Sequence, residues 1–82
     1  MHRIWLRWDD KIDLSVGGSS TELKTVLDRE AARTLDDETE AASFLAKIRP
    51  TLEQKLPGYV WSIDRFFGSR PFPFFAILGE SK

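Results

Sequence analysis

The 82-residue sequence predicts a small α+β fold: a two-layer sandwich in which a four-stranded, mainly antiparallel sheet carries two helices on one face, in the order ββααββ. Three observations predict it. Near the N-terminus apolar residues alternate with polar ones, the period of a half-buried strand. Through the middle of the chain apolar residues recur at helical spacing. The stretch from Pro57 to Gly79, PGYVWSIDRFFGSRPFPFFAILG, holds seven of the ten aromatic residues and most of the strong strand formers, so the remainder must cover it.

Taken in order, Arg3 to Asp9 sets Ile4, Leu6 and Trp8 against Arg3, Trp5 and Arg7, which predicts a first strand. Asp9, Asp10 and Lys11 read as a turn. Ile12 to Val16 alternates again, with Ile12, Leu14 and Val16 on one side, and completes a hairpin with an aliphatic inner face. Gly17 and Gly18 end that strand. Ser19, with Glu22 three positions on, has the form of a capping box, and Leu23, Val26, Leu27, Ala31 and Leu35 follow at helical spacing, predicting a helix from about Ser20 to Thr34. A weaker alternative makes Leu23 to Leu27 a strand, since Leu23, Thr25 and Leu27 also alternate.

A second helix opens at Asp36 and Asp37, where acidic residues favour a helix N-terminus, and its stripe of Phe44, Leu45, Ile48, Leu52 and Leu56 runs to Pro57 and Gly58. Pro50 lies inside it and predicts a kink rather than a break, because the stripe stays in phase. Tyr59, Trp61 and Ile63 alternate with Val60, Ser62 and Asp64 in a third strand. Gly68 and Ser69 supply a turn. Phe74 to Leu78 is a continuous apolar run, as in a strand buried on both faces, and Pro71 and Pro73 make its approach extended or irregular.

Composition narrows the function classes. One domain spanning residues 1–82, with 41% hydrophobic and 30% charged residues, falls in the globular range. At this size folding buries only about 60% of the surface exposed by the unfolded chain. Cysteine is absent, which excludes disulfides and thiolate chemistry. A net charge of −1 gives no general attraction to nucleic acid. The residues from Met1 to Lys11 do not form a signal peptide and no segment reaches the roughly 20 apolar residues of a membrane span, so a cytoplasmic protein is expected.

One constellation could carry recognition. Trp5 stands between Arg3 and Arg7, while Arg65 and Arg70 flank the cluster Phe66, Phe67, Phe72, Phe74 and Phe75. With two helices on one face, Trp5 and part of the C-terminal aromatic set fall on the other, which is too aromatic to be left in water. Trp, Tyr and Arg dominate protein interfaces, so the expectation is a non-catalytic binding domain, acting as a homodimer, an adaptor, or an inhibitor or regulator docked on a larger complex. Its partner-binding residues would be Arg3, Trp5, Arg7, Arg65, Phe66, Phe67, Arg70, Phe72 and Phe75. The alternative is a single-stranded nucleic-acid binder that stacks bases on Trp5 and holds phosphates with Arg3, Arg7, Arg65 and Arg70. The structural reading of the same residues packs Trp5 under a loop or a terminus, with Arg3 and Arg7 paired to Asp13 or Asp64 across the sheet.

Other clusters have structural explanations. Asp36, Asp37, Glu38 and Glu40 lack calcium-loop spacing and suit a helix N-terminus, so no metal is expected. Asp9 and Asp10 suit a turn. Gly17 to Ser20 matches no phosphate-loop pattern. His2, the only histidine, sits at a terminus, and no nucleophile has a partner to activate it. An enzyme would need carboxylates such as Asp13 and Asp64 to converge in a pocket. Neither an enzyme nor a cofactor is expected.

Overall fold

A computed structural model describes residues 2–81. Among these residues the α+β class holds, with five antiparallel strands and one α-helix where four strands and two helices were predicted. The strands are β1 (Arg3–Asp13), β2 (Gly18–Val26), β3 (Thr34–Leu35), β4 (Tyr59–Phe66) and β5 (Phe74–Ser81), and the helix is α1 (Glu38–Lys55).

The centre is β5. Its residues Phe75 to Gly79 are all buried, as the unbroken apolar run predicted for a strand covered on both faces. Along one edge it pairs with the whole of β4, from Tyr59 opposite Ser81 to Phe66 opposite Phe74. Along the other it is shared: β1 takes Leu78 to Glu80 through Arg3 to Trp5, and the short β3 takes Phe75 and Ala76. Because β3 fills that place, β1 leaves β5 after Trp5 and continues with β2 as a two-stranded arm. Arg33 bridges the departure, its amide donating to the Leu6 carbonyl and its guanidinium to the Trp8 carbonyl at 3.1 Å.

Two expectations about the N-terminal third are corrected. The strand does not turn at Asp9 and Asp10; β1 runs through them to Asp13, and the turn is Leu14 to Gly17. Gly17 has φ +68, a conformation that favours glycine, and Asp13 accepts bonds from the Ser15 amide and hydroxyl at 3.0 and 2.6 Å. The predicted helix over residues 20–34 is β2 followed by a 3-10 turn at Arg29–Ala31. Nine successive pairs with β1, from Trp5 opposite Val26 to Asp13 opposite Gly18, override helical spacing in a segment whose Ser, Thr and Val residues are weak helix formers. Ser19 and Glu22 thus lie in a strand and form no capping box.

The helix beginning at Asp36 and Asp37 is found. Asp37 caps it by accepting from the Thr39 amide at 2.8 Å, and the chain remains helical through Pro50. Ala41, Leu45, Ile48 and Leu52 face the sheet, where they bury Ile4, Leu6, Trp8, Trp61 and Ile77. Gly58, at φ +92, turns the chain into β4. The opposite face is closed by the segment between β2 and β3, which lays Ala32 over Trp5, Ala76 and Leu78 beside Val26 and Phe66. At the ends, the His2 amide donates to Ser81 Oγ and the Ser81 amide to the His2 carbonyl.

Candidate functional site

Trp5 does lie on the face away from α1, as predicted, but that face is not open. The chain's own 27–33 segment covers it, leaving Trp5 8% exposed. Phe75 is also buried, on the helix side of β5 by its alternation with Ile77. The expectation of an open aromatic sheet face is therefore corrected: a loop of the chain itself covers the face opposite α1.

The N-terminal arginines are engaged with acids. Arg3 pairs with Glu80 at 3.1 Å, and Arg7 with Asp9 at 3.5 Å. What the structure brings together is the C-terminal group, at the β4–β5 connection. Phe66 and Phe74 are directly opposed across the strands with ring centroids 4.3 Å apart. The Arg29 guanidinium lies 4.5 Å over the Phe66 ring while pairing with Asp64 at 3.9 Å. Arg70 lies 5.2 Å over Phe74 and forms an ion pair with Asp36, which ties the connection to the start of α1. Gly68 is required beneath Phe74, since a Cβ there would lie 2.6 Å from the ring.

Held in this way, the connection presents two rings to solvent, Phe67 at 60% and Phe72 at 75% exposure. Arg65 reaches over Phe67 at 5.9 Å and has no carboxylate partner among the described residues. Beside the rings runs an open groove of about 400 Å³, lined by Arg29, Thr34, Phe66, Phe67 and Phe74 among others. Arg29 and Asp36 are the members that sequence reasoning missed. Their sequence neighbourhoods indicate only the body of a helix and a helix N-terminus, and their part at this site follows from β3 carrying the chain past the start of β5.

The remaining clusters resolve structurally. Asp36 and Asp37 serve the Arg70 pair and the helix cap, and among the described residues no group of three or more His, Asp or Glu side chains could hold a metal ion. Asp13, at the arm's turn, and Asp64, on β4, are on separate parts of the sheet. Among the described residues no polar or charged side chain is buried. Two carboxyls are shifted, both downward: Asp13 by its bonds from Ser15, and Glu22 by a hydrogen bond from Lys11 at 2.7 Å with Lys24 adding to it. No helix of the described residues is long and apolar enough to cross a membrane.

No family model matches the chain, and no curated protein or solved structure matches it either.

Proposed function

We propose that this chain is a small, non-catalytic protein-binding domain whose docking element is the β4–β5 connection. The observation that carries the reading is the pair of exposed rings, Phe67 and Phe72, on a connection already held in place by the Arg70–Asp36 ion pair. Large aromatic anchors on a preorganised loop are what interface hot spots are made of, since ordering them on binding costs little. The partner's surface is an apolar pocket deep enough for a phenyl ring, with a carboxylate beside it to meet Arg65.

The nucleic-acid alternative has less support. Its stacking residue, Trp5, is under the 27–33 segment, and three of its four arginines, Arg3, Arg7 and Arg70, are in ion pairs. The test is a photo-crosslinking residue placed at Phe72, with the same residue at exposed Arg49 as control. The expected result is a discrete protein adduct from Phe72 that disappears when Phe67 is changed to Ala. Equal labelling from Arg49 would overturn the proposal, as would an adduct that contains nucleic acid.

A further inference from the structure

The β2 edge of the sheet offers a second, separate surface, at the far side from β4. Among the described residues no strand pairs with its outer edge, although it runs nine residues without a proline or a break in register. Exposed edges of this kind are templates for further pairing, and natural sheets usually blunt them.

The side chains of the arm indicate what would pair there. On the face away from α1 the register sets Arg7 directly opposite Lys24 and Asp9 directly opposite Glu22. Like charges in that position are unfavourable. Within the chain they are relieved by neighbours along each strand, Arg7 with Asp9 at 3.5 Å and Lys24 with Glu22 at 3.4 Å, and by one diagonal pair, Lys11 with Glu22 at 2.7 Å.

We infer that a second copy of this chain pairs with β2, antiparallel and about a two-fold axis through Leu23, to give one sheet continuous across both copies. A two-fold normal to the sheet keeps both helices on the same side and makes residues equally spaced from the axis meet. Centred on Leu23, Glu22 meets Lys24 of the second copy, and Lys24 meets its Glu22. Each row across the join then reads Arg7, Lys24, and the second copy's Glu22 and Asp9, two cations facing two anions. Moving the axis one residue either way opposes Glu22 to Glu22 or Lys24 to Lys24. The charges therefore select one symmetric register.

The same register covers apolar groups that folding leaves out. Ser19 is opposite Ile12 within the arm, and one residue beyond β2 it meets Leu27 of the second copy. Ile12 and Leu27, 81% and 74% exposed in the single chain, thereby flank Ser19 at both ends of the join, about 10 Å apart with only a serine side chain between them. On the helix side the two Leu23 side chains meet, flanked by the stems of Lys47 and Lys55, whose heads reach solvent. The area joined is small, so the dimer is of modest affinity.

Sedimentation equilibrium on the full chain tests this with three samples. Wild type is expected at twice the 9.4 kDa chain mass, whereas Glu22→Lys and Lys24→Glu alone each run at 9.4 kDa, with the dissociation constant raised about tenfold or more. An equimolar mixture of the two variants, one carrying only cations at the join and the other only anions, returns to twice that mass. Each variant replaces a like-charge pair across the hairpin by an opposite pair but gives up the ion pairs that the replaced residue makes along it, so the circular dichroism spectrum of each remains that of wild type, with a melting midpoint within a few degrees. A wild type that stays at 9.4 kDa even at millimolar concentration would overturn the proposal, and so would single variants that remain dimeric.

Discussion

Trp61 lies over Gly79, its cross-strand partner, with ring atoms 2.7 to 3.0 Å from where a Cβ would stand. The tryptophan fills the space that glycine leaves, so Gly79→Ala should displace it and destabilise the fold by about 1–3 kcal/mol, read as a lower urea midpoint with unchanged slope. Trp5 is a second core residue, and Trp5→Ala should cost about 3–5 kcal/mol. The two shifted carboxyls give a pH dependence. Both are lower in the folded chain, so the stabilisation they add is complete above the ordinary carboxylate range and fades as pH falls through the lowered pKa values. Chemical-shift titration should show Asp13 and Glu22 ionising below their usual values, and Ser15→Ala should return Asp13 towards its own.

Among the elements, α1, β4 and β5 were legible because each had one period and one set of stops: the Asp37 cap, Pro57 and Gly58, and the glycine–proline connection. The N-terminal arm was not. Ile12, Leu14 and Val16 alternate like a buried face, yet they are exposed, since the arm extends past the point where β1 leaves β5 and α1 does not reach them. Leu23, Val26 and Leu27 have helical spacing, but Gly17 closes the hairpin turn and Gly18 opens β2, and the strand alternation of Leu23 and Thr25 is the pattern that the ladder selects. Pro50 provides a test on α1. It leaves the Ala46 carbonyl without its amide donor, so Pro50→Ala, on an exposed position, should stabilise the protein by about 1–2 kcal/mol, less than the full helical penalty because proline also restricts the unfolded chain.

Across the whole molecule, the sequence contains more aromatic rings than two helices on one face would shelter, and it was this surplus that pointed to a binding surface. The structure divides the surplus. Trp5 and Phe66 go under the 27–33 segment, Phe75 lies within β5, and only Phe67 and Phe72 are left outside the packing. No local pattern shows that division, because it depends on a crossing from β2 to β3 beneath the sheet, a contact between segments distant in sequence. On the function proposed above, these two rings play no part in folding and serve a partner. Urea denaturation of the Phe67→Ala, Phe72→Ala double variant decides this: a stability within about 0.5 kcal/mol of wild type is expected, as for surface positions, and a loss of about 3 kcal/mol or more, as for buried phenylalanines, would contradict it.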